Sequence, residues 1–158
     1  MSAERTLLAV DLGLRTGLAL YGADGRLRWY RSQNFGTNAR LRRGAFGVLK
    51  DLSGVEHLVL EGGGTLAELW AKEGERRGLR VRVVDAETWR RALLYPRERR
   101  SGAEAKAAAD TLARRVIEWS GAARPTSLRH DAAEAILVGL WGVLQARWLD
   151  GPPAALRR

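Results

Sequence analysis

The stretch Thr6-Leu-Leu-Ala-Val-Asp-Leu-Gly-Leu-Arg-Thr-Gly-Leu-Ala-Leu-Tyr21 decides the fold. Thr6–Val10 is an apolar run too short for a helix, and Gly13 and Gly17 bound it. It reads as a buried strand that ends in Asp11. Gly17–Tyr21 resumes the apolar pattern after a tight turn and reads as a second strand. Arg26–Phe35 follows Gly25 as a third, with Leu27, Trp29 and Tyr30 as its apolar members. Three strands joined by short connections predict an antiparallel start to a sheet.

Beyond them the period changes. Asn38–Asp51 places Leu41, Ala45, Val48, Leu49 and Leu52 at helical spacing. His57–Leu60 is a further strand and again ends in an acid, Glu61. Thr65–Arg77 reads as a helix stopped by Gly78. Leu79–Val84 alternates as a half-exposed strand, and Asp85–Leu94 reads as a short helix. Tyr95–Gly102, with Pro96 and several charges, reads as a mobile loop. Ser101 with Glu104 forms a capping box for a helix running through Trp119. Asp131–Trp148 is a strongly apolar last helix, and residues 151–158 read as a flexible tail. The order β-β-β-α-β-α-β-α-α-α predicts an α/β fold with a mixed five-stranded sheet covered by helices. At 158 residues this is one domain, expected over residues 1–150.

Composition bounds the function. Twenty-seven Lys+Arg against eighteen Asp+Glu leave a net charge of +9, which predicts a polyanionic partner such as nucleic acid. The absence of Cys removes disulfides, thiol catalysis and zinc–thiolate sites, and two His make a multi-His metal centre improbable. Neither a membrane span nor a signal-peptide apolar core is present, so a cytoplasmic protein is expected, nucleoid-associated if bacterial.

Four acids carry the candidate chemistry: Asp11, Glu61, Asp131 and Glu134. Asp11 and Glu61 each end a buried strand, so neighbouring strands would present both at one sheet edge. Asp131 and Glu134 lie three apart at the start of the last helix and share a face. Taken singly, each has an ordinary explanation as a turn cap, a loop acid or a helix N-terminal acid. Taken together, they predict a carboxylate cluster. Clustered carboxylates repel unless cations compensate, and hard oxygen donors select Mg²⁺, with Mn²⁺ able to substitute. Two such ions would clamp the attacking and leaving oxygens of a phosphodiester.

Here a family resemblance enters. Leu8-Ala-Val-Asp-Leu-Gly-Leu-Arg-Thr-Gly17 resembles the first-strand motif of RuvC-type Holliday junction resolvases, members of the RNase H-like nuclease superfamily. Leu58-Val-Leu-Glu61 resembles their second acidic strand, and Arg129-His-Asp-Ala-Ala-Glu-Ala135 resembles their C-terminal helix motif. Ala103-Glu-Ala-Lys106 resembles the segment that carries a functional Lys. The ordered set spans about Thr6 to Leu144. It implies a three-layer α/β/α fold, a homodimer, and Mg²⁺-dependent paired nicking of four-way junction DNA. It implies metal binding by Asp11, Glu61, Asp131 and Glu134, and a catalytic or phosphate-contacting role for Lys106. Two departures stand out. The last acid is Glu134 where bacterial members more usually carry Asp, and Gly63-Gly64 replaces an aromatic found after the second acidic strand, leaving Trp70 as a candidate for stacking at the junction centre. Other readings are a related nuclease for branched DNA or RNA–DNA hybrids, and an inactive nucleic-acid-binding protein.

Arg15 follows Asp11 in its turn and is a candidate phosphate contact, as are Arg90, Arg91, Arg97, Arg99 and Arg100 between Trp89 and Ser101. Trp89 itself is expected in the core. His130 has three open roles: partner of a neighbouring acid, ligand, or exposed helix-start residue. Trp141 and Trp148 are expected in the core or at a dimer surface.

Overall fold

The computed structural model describes residues 3–158. Five strands, β1 (Thr6–Asp11), β2 (Arg15–Gly22), β3 (Leu27–Asn34), β4 (Val55–Glu61) and β5 (Arg80–Val84), form one sheet in the order β3-β2-β1-β4-β5. β1 pairs antiparallel with β2 and β2 with β3, whereas β4 runs parallel to both β1 and β5. The mixed sheet and its antiparallel start match the sequence reading.

Side-chain alternation along the strands sorts the core into two layers. Leu8 and Val10 of β1, Leu18 and Leu20 of β2, and Leu58 and Leu60 of β4 face helices α1 (Asn38–Asp51) and α2 (Gly64–Arg76). Leu7 and Ala9, Ala19 and Tyr21, and Val59 face the other way. They meet α3 (Ala86–Leu93), α4 (Gly102–Ser120) and α5 (His130–Gln145). The result is α/β/α. No helix among the described residues is long and apolar enough to cross a membrane.

α5 is the central helix of its layer and is buried on nearly every side. It approaches the sheet closely because it presents glycine there: a Cβ at Gly139 would overlap the Tyr21 ring. The Tyr21 hydroxyl donates to the Ile136 carbonyl, tying β2 to the same helix.

Three expectations need correction. Trp70 does not offer a stacking platform: it is fully buried between α2 and the sheet, among Leu8, Leu58 and Leu60. The Tyr95–Gly102 loop is braced rather than loose. A 3-10 turn spans Pro96–Glu98, and the Glu98 carboxylate accepts from both the Tyr95 amide and the Arg158 guanidinium. The tail, expected to be flexible, is packed as well: Leu156 is 3% exposed in the core and the Arg115 guanidinium donates to the Arg157 carbonyl. Both regions hold because a buried apolar residue and a half-buried ion pair join segments sixty positions apart. Trp89 is fully buried, as expected, while Trp141 and Trp148 are half-buried against the same core.

Candidate active site

One transverse row of the sheet organises the site. Ser32 pairs with Gly17, Gly17 with Asp11, Asp11 with Glu61, and Glu61 with Val84. Neighbouring strands lie roughly 4.8 Å apart. Asp11 and Glu61 are therefore direct neighbours at the carboxyl ends of two parallel strands. Alternation puts both on the face that Ala9 and Val59 occupy, the face covered by α5.

Gly17 lets α5 begin there. A Cβ at this position would run into the Asp131 carbonyl oxygen, so only glycine allows the helix start to rest on the strand. The Ser32 hydroxyl completes the row by donating to Asp131 Oδ2 at 2.6 Å. Glu134, one turn further on, is 4% exposed. All four acids predicted from sequence thus gather at one corner of the sheet.

Their charges interact. The Asp11 carboxyl is pushed up to about 9, chiefly by burial, then by its hydrogen bond to Glu61 and by repulsion from Glu61, Glu134 and Asp131. Burial also raises Glu134, opposed first by the Arg90 guanidinium and then by the nearby His130. Arg90 Nη2 lies 3.1 Å and His130 Nε2 2.9 Å from Glu134 Oε1. His130 is half-exposed yet turned onto Glu134.

The donor chemistry fits a hard divalent cation. Four carboxylates share one corner, and Asp11 is pushed far above its ordinary range by burial, by its hydrogen bond to Glu61 and by repulsion from the other three acids. The side chains are not already closed on a metal: among the described residues no three acidic or His side chains surround one metal-sized point. Asp11 is hydrogen-bonded to Glu61, and Glu134 is held by Arg90 and His130. A cation would replace these internal contacts.

The remaining candidates are distributed differently. Arg15 is exposed at the start of β2, on the same edge as Asp11. Arg90 points inward to Glu134, while Arg91 pairs with Glu87 at 3.2 Å. Arg97 stacks over the Tyr95 ring and Arg99 donates to the Leu94 carbonyl; Arg100 is exposed. Lys106 is exposed on the first turns of α4 and forms no ion pair among the described residues; Asp110, its neighbour one turn on, pairs with Arg114 instead. Sequence reading missed the contacts of Ser32 with Asp131 and of Arg90 with Glu134. These bridge 99 and 44 positions and carry no local signal.

No protein-family model matches the chain, and no curated protein sequence matches it. Among solved structures, RuvC of T. thermophilus in complex with a Holliday junction substrate superposes with a TM-score of 0.64 over 94% of this chain and 99% of that one, at 16% identity. The chain has an RNase H-like fold. The catalytic core domain of BIV integrase overlaps more loosely, with a TM-score of 0.36 at 12% identity over 95% of this chain and 90% of that one. That overlap bears no weight here. On the RuvC-like scaffold, the corner that gathers Asp11, Glu61, Asp131 and Glu134 lies where two parallel strand ends meet the start of α5.

Proposed function

We propose that this chain is a divalent-cation-dependent endonuclease that recognises four-way DNA junctions and resolves them by paired symmetric nicks. The observation that carries this reading is the convergence of four acids from β1, β4 and α5 in one buried, proton-retaining cluster. The resemblance of the RuvC-like motifs adds the substrate. Asp11, Glu61, Asp131 and Glu134 would hold Mg²⁺ or Mn²⁺, two ions per site. Bound there, the metal supplies charge stabilisation at the phosphodiester and lowers the pKa of water.

The chain's own residues do the rest. Ser32 fixes the rotation of the Asp131 carboxylate through its 2.6 Å hydrogen bond. The proton on Asp11 must leave to solvent before that carboxyl can act as a ligand beside Glu61. Lys106, exposed and free of ion pairs among the described residues, is suited to meet an approaching phosphate. Arg15, Arg91, Arg97, Arg99 and Arg100 would contact the DNA backbone, which positions the strand without reading its sequence. A homodimer would set two sites about a two-fold axis, matching the symmetry of paired cuts.

The test is direct. Synthetic mobile four-way junctions, flap DNA and RNA–DNA hybrids are incubated with protein in Mg²⁺ or EDTA, alongside Asp11→Asn. The expected result is paired nicks on the junction by the parent in Mg²⁺ only, and junction binding without nicking by the variant. Preferential cutting of flaps or hybrids would reassign the substrate, and equal cutting by both proteins would end the nuclease reading.

A further inference from the structure

Arg90 is an odd partner for Glu134. A guanidinium at rest on a carboxylate ordinarily uses its fork, with two parallel N–H donors. Here a single Nη2 contact reaches Oε1 at 3.1 Å. The Nε of Arg90 is buried with no acceptor among the described residues. Leaving a buried donor unpaired is costly, so this placement is an incomplete one. Glu134 Oε1, meanwhile, has the Arg90 guanidinium at 3.1 Å and the His130 Nε2 at 2.9 Å. Arg90 also lines a cleft of about 370 Å³ with Arg91, Arg99 and Ser101, where three guanidiniums outnumber one acid, Glu87, which pairs with Arg91.

We propose that Arg90 is a positioning residue that stands in for the divalent cation at Glu134, and that cation binding displaces its guanidinium into the adjoining basic cleft, onto a nucleic-acid phosphate. This rests on the reading that Glu134 ligates a divalent cation. Electrostatics give the exchange its direction. A doubly charged ion outcompetes a singly charged, half-satisfied guanidinium for a buried carboxylate, and the freed fork then has a phosphate to engage bidentately. Phosphate contact by Arg90 is thereby conditional on the cation.

The two roles Arg90 could play predict opposite signs. A residue that merely braces Glu134 as a ligand weakens cation binding when removed, whereas a competitor strengthens it. Calorimetric titration of Ca²⁺, at fixed pH and ionic strength and without DNA, reads the sign. Arg90→Gln is expected to bind Ca²⁺ roughly tenfold more tightly than the parent, the low end of what outer-shell changes do to metal affinity. Arg90→Lys keeps the charge but not the guanidinium that lies 5.4 Å over the Trp89 ring; it is expected to stay near the parent, which separates charge from that packing. Equal or weaker binding by Arg90→Gln overturns the proposal alone. If neither parent nor variant takes up Ca²⁺, Mg²⁺ or Mn²⁺, the proposal falls together with the metal reading beneath it. A second measurement reads the transfer: junction affinity of Arg90→Gln should drop relative to the parent in Ca²⁺ but not in EDTA. Equal losses in both buffers overturn the displacement step.

Discussion

Asp11 stays protonated to about pH 9, whereas the same carboxyl in an unfolded chain titrates near 3.8. Between those values the native state binds a proton that the unfolded state has lost, so stability is fullest below about pH 4 from this group and declines as pH rises to about 9. Glu134, raised as well, acts in the same direction. Each fully retained proton costs the native state at most about 1.4 kcal/mol per pH unit across its window. Urea unfolding in EDTA at pH 5, 7 and 9 should therefore show a falling midpoint, and Asp11→Asn should flatten the decline. A midpoint independent of pH in the parent would mean that the acids are not crowded. Gly17 makes a second residue-scale case. Ala there must displace the Asp131 carbonyl, so Gly17→Ala should cost about 3 kcal/mol in denaturant unfolding and abolish nicking. Gly63→Ala, whose added Cβ meets nothing within 4 Å, serves as the control.

The elements were legible where a single segment carries its own period. The short apolar run Thr6–Val10 and the i, i+3, i+4 spacing in Asn38–Asp51 belong to the strand and helix that form there. The two strand-terminal acids were legible for the same reason, since a parallel pairing of two apolar strands aligns their ends. Individual side-chain contacts made with a distant partner carry no such local signal. Residues 151–158 carry Pro152, Pro153 and two terminal Arg, a composition that looks solvated. Their order comes from Leu156 entering a core built by α3, α4 and α5, and from Arg158 reaching Glu98. The period of Thr65–Arg77 puts Trp70 on a helix, but the helix alone does not say that its indole packs with Leu58 and Leu60. The packed tail makes a prediction that a frayed one does not. Leu156→Ala should destabilise the protein by about 2–3 kcal/mol by thermal or denaturant unfolding. A change within a few tenths of a kcal/mol would show the tail to be loose in solution.

At the scale of the molecule, the net charge of +9 sits around a corner that is locally acidic. The two features serve different steps if the nuclease reading holds: the Arg-rich surface gathers a polyanion, and the carboxylates act only once cations have neutralised them. Binding and cutting should then separate experimentally. Junction affinity in EDTA should fall steeply with added NaCl, because each neutralised phosphate releases counterions. Arg15→Ala and Arg100→Ala remove exposed cations that make no ion pair among the described residues, and each should lower the log–log salt slope by about 1. Arg114→Ala, whose charge is already spent on Asp110 at 2.8 Å, should leave the slope unchanged. Asp11→Asn should bind as tightly as the parent in EDTA, since Asp11 is already neutral below about pH 9 and every Arg stays in place. If Arg15→Ala and Arg100→Ala bind with the parent's slope, the DNA lies on another face, and the carboxylate corner loses its claim to the substrate.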